Sequence, residues 1–292
     1  MGNRTNAVIF TRPFAALGFA FDIQGEDPRL ISYIEHLYEP LPNPGRAVHR
    51  YALPAGTRNG QACELRLDED RVFQAEVAEA LVGPLVHDLN RRALDSSEHL
   101  ILHAGGVVGD GVGVVFPGAM EAGKTTLAAG LVRAGLGYLT DEGVAIDRET
   151  LRIHPYPKPL SVDRGAWPLF PELEPDADLA TDAYKHDQWQ VPPTDIRPDA
   201  LGQSCPVDVI VFPKHVPGGE TALEPLGRAE ALIELAKNTY KFNVQERAAL
   251  DVLAEVVRPA ACYRLTNGNL DAAVTAVTSL ISTAPDDPVS VR

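Results

Sequence analysis

Residues 117–128 of the sequence are PGAMEAGKTTLA, in which a glycine is followed by four residues and then by Gly-Lys-Thr. This G-x-x-x-x-G-K-[ST] spacing is typical of a P-loop, whose backbone N–H groups surround phosphate oxygens. Lys124 adds a full positive charge for the β- and γ-phosphates, and the Thr125 hydroxyl can ligate Mg²⁺. The sequence therefore predicts a phosphate-binding segment, here named the Gly-Lys-Thr loop, with these residues: Gly118, Ala119, Met120, Glu121, Ala122, Gly123, Lys124, Thr125 and Thr126.

Glu121 is the unusual residue of this loop, because a carboxylate that faces phosphates opposes their binding. We therefore expect its side chain to point outward to solvent. The alternative is a degenerate loop that binds nothing, although Lys124 and Thr125 are both retained.

Two adjacent carboxylates, Asp141 and Glu142, follow the loop in the stretch GYLTDEGVAID. The interval from Lys124 to Asp141 is 141 − 124 = 17 residues, enough for one helix, a turn and the next strand. Adjacent strand residues point to opposite faces, so this acidic pair can divide two tasks. One carboxylate can bind Mg²⁺ and the other can accept a proton from an attacking hydroxyl, and the alternative is a solvated strand end.

Further candidates are one histidine and three basic residues. His103 lies in the apolar run LILHAGG, where it is either a core residue or a functional group. Lys158 in YPKP and Lys214 in FPKH follow strand-like stretches and can neutralise a transferring phosphoryl group, with Arg164 as a further candidate. For each of the three, a solvated surface position is the alternative.

The elements around the loop indicate how it is held. Two apolar runs, HLILHAGGVV and VGVVF, are joined by a Gly/Asp turn and predict an antiparallel hairpin that leads into the loop. The residues after it predict a helix that ends on Gly135, followed by another strand. The fold class expected from this order is α/β, with a mixed twisted sheet and a smaller N-terminal α+β domain.

The domains expected from the sequence are residues 1–95, 96–283 and a flexible tail, 284–292. In the first, NAVIFT and CELRLD predict strands and PRLISYIEHLY predicts a helix, as does a stretch over 72–94 that is interrupted or kinked near Gly83 and Pro84. The Pro- and Asp-rich segment 168–205 predicts a long loop that could serve as a lid. The later stretches predict two strands and three helices, namely PVDVIVF, CYRLT, RAEALIELAKN, QERAALDVLAEVV and NLDAAVTAVTSLIS.

The composition excludes several classes of protein. A formal net charge of −14 over 292 residues argues against nucleic acid or an anionic membrane as partner, because both need a basic surface. The three cysteines are scattered and form no CxxC, so neither a disulfide framework nor a zinc site is expected. The sequence shows no secretory pattern and no membrane-length apolar run, and we expect a cytoplasmic protein.

The stretch from Leu102 to Asp147, LHAGGVVGDGVGVVFPGAMEAGKTTLAAGLVRAGLGYLTDEGVAID, resembles the catalytic core of HPr kinase/phosphorylase and its HPr-kinase-like relatives. The resemblance is close over residues 100–147 and weaker through PYPKPLSV, VIVFPK and the C-terminal helices. It implies the mixed-sheet P-loop fold of phosphoenolpyruvate carboxykinase. It further implies that Lys124 and Thr125 bind ATP phosphates and Mg²⁺, that the acidic pair supplies the base, and that His103 is an active-site residue.

The sequence departs from the bifunctional enzymes of that family at several positions. Met120 and Glu121 replace Ser-Gly, Glu142 replaces an Asp, Thr126 replaces a Glu, and the arginine-glycine-rich signature is not clearly present. These departures do not favour HPr as the substrate. Relatives without that signature include kinases of a serine in ribosomally made peptides, such as lasso-peptide precursors, and kinases of small hydroxyl compounds.

The resemblance therefore implies an ATP-dependent, Mg²⁺-requiring kinase that phosphorylates a hydroxyl, with the serine of a peptide favoured as acceptor. The alternatives are a small-molecule hydroxyl kinase and a non-catalytic ATP-binding regulatory module. The family tends to assemble, so a homo-oligomer is a further option.

Overall fold

The computed structural model describes residues 8–53, 62–175 and 188–282, and these form a mixed α/β chain with several sheets. The chain divides into two compact units. The first comprises Met1–Glu98 with Pro157–Pro198, and the second comprises His99–Tyr156 with Asp199–Arg292. The expected tail, 284–292, lies outside the described residues, as do residues 176–187 of the expected lid segment.

The strands of the described residues are, in chain order, β1 Ile9–Phe10, β2 Phe14–Ala16, β3 Phe19–Gly25, β4 His49–Ala52, β5 Cys63–Leu67, β6 Asp70–Ala75, β7 Leu100–Gly109, β8 Val112–Pro117, β9 Gly137–Thr140, β10 Gly143–Ile146, β11 Ile153–His154, β12 Leu160–Asp163, β13 Gln188–Val191, β14 Val209–His215, β15 Ala222–Pro225 and β16 Ala261–Asn267.

The helices are α1 Pro28–Tyr38, α2 Val82–Ser96, α3 Lys124–Arg133, α4 Pro193–Ile196, α5 Arg228–Lys237, α6 Phe242–Val257 and α7 Leu270–Ser282, with short 3₁₀ turns at Glu79–Leu81, Arg164–Leu169 and Pro171–Leu173. None of the helices in the described ranges has the length and apolar character that a membrane span needs.

In the first unit, a six-stranded sheet has the order β1-β3-β4-β5-β6, with β2 also paired to β3. Strands β3 and β4 are parallel and are joined by α1, the crossover that a parallel pair requires. Asp27 caps α1 by accepting hydrogen bonds from the N–H groups of Arg29 and Leu30, and Pro28 occupies the first turn. The predictions of α1 and β5 are confirmed.

A buried polar cluster in the same unit is centred on Asp88 of α2. Its carboxylate accepts hydrogen bonds from the Tyr51 hydroxyl at 2.8 Å, from Arg91 at 2.6 Å and from Arg92 at 2.7 Å. Burial alone would raise the pKa of Asp88, but the bonds from Arg92, Arg91 and Tyr51 overcome it and hold the pKa below its ordinary value.

The prediction of a kinked helix over 72–94 is wrong in two respects. Residues 72–75 belong to β6, which pairs antiparallel with β5, and α2 begins only at Val82. Gly83 and Pro84 therefore lie in the first turn of the helix. A proline is tolerated there, because the N–H that it lacks would have no partner within the helix.

The segment Pro157–Pro198 joins the first unit, whereas the sequence placed it in the second domain. Strand β12 pairs antiparallel with β13, so the expected long loop over 168–205 contains regular structure. Two hydrogen bonds attach the segment to α1. The Tyr33 hydroxyl donates to the carbonyl of Gln190 at 3.3 Å, and His36 Nε2 lies 2.9 Å from Asp195 Oδ1.

The second unit is built on an eight-stranded mixed sheet with the order β11-β10-β7-β8-β14-β16-β15, with β9 also paired to β7. Strands β7 and β8 form the predicted hairpin, and its turn residues Asp110 and Gly111 have φ of +50° and +81°, as a type I′ turn requires. Strands β14 and β16 run parallel to β8, so the carboxyl ends of all three lie at one edge of the sheet. The predictions of β14, β16, α3, α5, α6 and α7 are confirmed.

On the other side of β7, strands β9 and β10 pair with it one after the other. Thr140 lies opposite Gly106 and Gly143 lies opposite His103, so the register is the same on both sides of the gap between the two strands. The gap consists of Asp141 and Glu142. The acidic pair thus interrupts one continuous line of strand next to the hairpin.

Candidate functional site

The Gly-Lys-Thr loop connects the end of β8 to the first residue of α3. Gly123, at the helix start, has a φ of +86°, a left-handed conformation that favours glycine. No side chain caps this helix end, so the N–H groups of its first turn remain available to an anion. At the other end of the loop, a Cβ on Gly118 would lie 2.9 Å from the Cβ of Ala122, so glycine is the residue that fits.

Glu121 and Met120 form the outer part of the loop. The Glu121 side chain is exposed, as the sequence argument expects, and Met120 is 77% exposed. Glu121 has a φ of +65°, which is unfavourable for a residue with a Cβ. This position therefore carries local backbone strain together with a negative charge directed to solvent.

Lys124 is buried, with only 7% of its surface exposed. Its ammonium donates hydrogen bonds to the carbonyls of Gly118 and Ala119, both at 2.8 Å. Burial lowers the pKa of Lys124, while the carboxylates of Asp141 and Glu142 act in the opposite direction. The ammonium thus links the two ends of the loop by hydrogen bonds, and it lies within electrostatic range of the acidic pair.

Asp141 is held at both of its carboxylate oxygens. The Thr125 hydroxyl donates to Oδ2 at 2.8 Å, and the Tyr138 hydroxyl donates to Oδ1 at 2.9 Å. Burial, and then the charge of Asp141, raise the pKa of Tyr138 well above its ordinary value, so the phenol stays a donor. Asp141 is only 2% exposed, and its orientation is fixed by α3 on one side and β9 on the other.

The bend that presents the acidic pair is made by Thr140. Its hydroxyl accepts hydrogen bonds from the N–H groups of Glu142 and Gly143, both at 3.4 Å, as a threonine does in a tight turn. The carbonyl of Glu142 still accepts from the N–H of Ala104 on β7 at 3.1 Å. Glu142 is half-buried, unlike its neighbour Asp141.

His103 lies on β7 opposite Gly143 and next to the loop. Its carbonyl accepts from the N–H of Gly118 at 3.3 Å, and its own N–H donates to the carbonyl of Asn238 at 2.7 Å. Burial and the charge of Lys124 hold the pKa of His103 below its ordinary value, with Glu142 opposing the shift. This shift favours the neutral imidazole, which lies within electrostatic range of Lys124 and Glu142.

Lys214 and His215 end β14, the strand that runs parallel to β8. A Cβ on Gly118 would lie 3.8 Å from Pro213, and a Cβ on Gly123 would lie 3.9 Å from the Cβ of His215. His215 is thus the residue of this strand that lies beside Gly123 at the start of α3. The assignment of Lys214 to a phosphate site stays a prediction.

Lys158 and Arg164 belong to the first unit. Lys158 is buried and its ammonium donates to the carbonyl of Pro159 at 3.0 Å. The Arg164 guanidinium lies over the ring of Trp167, 5.9 Å from its centroid. The assignment of both residues to a phosphate site therefore stays a prediction.

The side-chain oxygen atoms of Thr125 and Asp141 could serve as ligands of a small divalent cation. A hydroxyl oxygen and a carboxylate oxygen 2.8 Å apart are hard ligands of the kind that Mg²⁺ prefers. Within the described ranges, no group of three or more His, Cys, Asp or Glu residues could hold a metal by itself. Mg²⁺ is typically held by one or two carboxylates together with substrate phosphates, and Thr125 and Asp141 are the residues that could hold it here.

Two residues of this site were missed in the sequence. Tyr138 lies three residues before Asp141 in GYLTDE, where an aromatic residue in a strand is read as core. His215 stands directly after the predicted Lys214. The only signal available for either was its proximity to a residue already singled out.

Comparison with protein-family models and with curated proteins finds no match in either case.

Proposed function

We propose that this protein is an ATP-dependent kinase of the HPr-kinase-like type, which transfers the γ-phosphoryl group to a hydroxyl, with the serine of a peptide as its acceptor. ATP and Mg²⁺ are its substrate and cofactor. The proposal rests on the residues of the second unit and on the resemblance of residues 100–147 to that family.

The observation that supports the proposal most is the contact between Thr125 and Asp141. The residue after the loop lysine donates a 2.8 Å hydrogen bond to a buried carboxylate, and Lys124 lies within electrostatic range of that carboxylate. A phosphate-binding loop needs a metal ligand at this position, and phosphoryl transfer needs a carboxylate beside it. A chance match to the loop pattern would have no reason to bring the two together.

The chemistry available to these residues is positioning and charge neutralisation. The N–H groups at the start of α3 and the ammonium of Lys124 would hold the phosphate oxygens, and Thr125 with Asp141 would hold Mg²⁺, which neutralises the charge that develops on the phosphates. The acceptor oxygen forms a bond to the γ-phosphorus, and the bond from that phosphorus to the β,γ-bridging oxygen breaks. ADP leaves, and the acceptor proton passes to one carboxylate of the acidic pair.

The experiment is an acceptor assay. The protein is incubated with ATP, Mg²⁺ and the ribosomally made peptides encoded next to its gene, and the products are analysed by mass spectrometry for the mass of one phosphate. A parallel reaction with a panel of small hydroxyl compounds measures ADP formation. Glu142→Gln is the matched variant, because it removes a carboxylate without changing the size of the side chain.

Phosphorylation of a peptide serine by the wild type, reduced at least 100-fold in Glu142→Gln, is the expected result, since a general base contributes about 10²–10⁴-fold. ADP formation only with small hydroxyl compounds would indicate that the acceptor is a small molecule and not a peptide. Binding of ATP with no turnover on either panel would contradict a kinase and favour a regulatory ATP-binding module.

A further inference from the structure

The buried carboxylate of Asp141 receives hydrogen bonds from two separate elements. Thr125 approaches Oδ2 from the first turn of α3, and Tyr138 approaches Oδ1 from β9. Both bonds, at 2.8 and 2.9 Å, are of ordinary length for a hydroxyl donor and a carboxylate acceptor. One donor, Thr125, belongs to the proposed metal ligands, whereas the other has no part in the chemistry described above.

Tyr138 is well suited to fix an orientation. It is completely buried, and β9 holds its backbone opposite Val107 of β7. Its carbonyl also accepts a hydrogen bond from the N–H of Gly202 at 2.9 Å. The backbone of Tyr138 is therefore held on both edges of β9, and the complete burial of the ring restricts the phenol.

The neighbouring carboxylate belongs to Glu142, which is half-buried. The backbone N–H of Glu142 donates to the Thr140 hydroxyl, and its carbonyl accepts from the N–H of Ala104. The two acids therefore differ in exposure: Asp141 is only 2% exposed and bonded to Thr125, whereas Glu142 is half-buried.

We propose that Tyr138 is a positioning residue, which holds Asp141 in the orientation that binds Mg²⁺ beside Thr125 and thereby leaves the role of base to Glu142. This inference rests on the proposed function and assigns the two tasks of the acidic pair. A hydrogen-bond partner behind a metal ligand typically changes metal affinity by about 10- to 100-fold.

The test is Tyr138→Phe, which removes one hydroxyl and keeps the ring. ATP binding is measured by calorimetry in EDTA and again over a titration with Mg²⁺, so that the readout does not depend on turnover. Tyr263→Phe is the matched control, because Tyr263 lies on β16 of the same unit and two strands, β14 and β8, separate it from β7.

We expect Tyr138→Phe to bind ATP in EDTA as the wild type does, and to need about 10- to 100-fold more Mg²⁺ for the same gain in ATP affinity. Tyr263→Phe should match the wild type in both conditions. A Mg²⁺ dependence of Tyr138→Phe equal to that of the wild type would overturn the inference. A folded Tyr138→Phe that binds ATP more weakly even in EDTA would also overturn it, because the tyrosine would then support the loop as a whole.

Two further outcomes separate this inference from the function on which it rests. A wild type that binds no ATP in either condition overturns both, whereas a wild type with normal Mg²⁺ dependence and an unaffected Tyr138→Phe overturns the inference alone. Should Tyr138→Phe not fold, the Tyr138→Phe, Asp141→Asn double variant is used, since a buried neutral amide that lacks the phenol costs less than a buried carboxylate that lacks it. Its Mg²⁺ requirement should equal that of Asp141→Asn, and any additional loss would contradict the assignment.

Discussion

Gly105 lies in the hairpin beneath the site at a position that leaves no room for a Cβ. It lies on β7 opposite Phe116 of β8, and a Cβ on Gly105 would lie 2.7 Å from Cδ2 and from Cζ of the Phe116 ring, and closer still to Cε2. Phe116 is completely buried and stands two residues before Gly118, where the Gly-Lys-Thr loop begins. Gly105→Ala therefore forces the ring, the strand or both to move.

The size of the effect follows from these distances. Carbon atoms pack best at about 3.5–4.0 Å, so the new methyl group would overlap the ring by roughly 1 Å. Extra atoms in a packed core typically cost about 1–3 kcal/mol, and an overlap with a buried ring between two paired strands belongs at the upper end. We therefore expect Gly105→Ala to lower the free energy of unfolding by about 3 kcal/mol, a large part of the roughly 5–15 kcal/mol typical of a domain.

The assay is urea unfolding followed by circular dichroism, with Gly227→Ala as the control. Gly227 precedes α5 with a φ of −66°, and a Cβ there meets nothing within 4 Å. The control should change stability by less than about 1 kcal/mol, because reduced freedom of the unfolded chain and a poorer helix cap offset each other. A Gly105→Ala variant as stable as Gly227→Ala would refute the packing described for the hairpin.

Three further predictions concern acid stability, the loop glutamate and the end of β14. The folded-state pKa of Asp88 is lowered, so its stabilising contribution is present above the unfolded pKa of about 3.9 and is lost as the pH falls through the folded value. Tyr51→Phe should lower the free energy of unfolding, measured in urea at pH 7, by about 1–3 kcal/mol. An unchanged free energy of unfolding would contradict the hydrogen bonds described for Asp88. Glu121→Gly should raise the free energy of unfolding by about 1 kcal/mol, because glycine adopts the positive φ without strain. Calorimetry should show tighter MgATP binding by this variant, because a carboxylate that opposes phosphate binding is removed. His215→Ala should weaken MgATP binding more than Lys214→Ala does, because His215 lies beside Gly123 at the start of α3. A larger effect of Lys214→Ala would indicate that Lys214, and not His215, lies next to the phosphates.

The sequence predicted those parts of the fold that local patterns encode. The hairpin of β7 and β8 was predictable because two apolar runs flank Asp110 and Gly111, and both turn residues adopt the positive φ that the turn requires. Helices α1 and α5 to α7 were predictable from the spacing of their apolar residues. In these segments the short-range preference and the tertiary structure agree.

The errors come from interactions that lie far apart in the sequence. Strand β6 was read as helix because residues 72–75 continue without a turn signal into a helical pattern, and its pairing with β5 decides otherwise. Strand β13 pairs with β12, Leu160 opposite Val191, across a segment rich in Pro and Asp, and no local pattern reveals such a partner. The attachment of Pro157–Pro198 to the first unit depends on the same kind of contact.

The candidate site divides in the same way. The loop residues, Asp141 and Glu142 could be proposed from type and spacing, because the chemistry of phosphate binding fixes both. Tyr138 could not, since its hydrogen bond to Asp141 is a contact between two side chains that no local pattern encodes. A residue that orients another side chain through a tertiary hydrogen bond has no recognisable pattern in a single sequence.

The measurement that tests the account most directly is a calorimetric titration of the wild type and of Lys124→Ala with MgATP. A hydrogen bond between the lysine and a phosphate is worth about 1.5–3 kcal/mol, so the variant should bind roughly 10- to 150-fold more weakly while its circular dichroism spectrum is unchanged. Equal affinity of the two proteins would mean that the Gly-Lys-Thr loop does not bind the triphosphate, and the proposed function would fall with it.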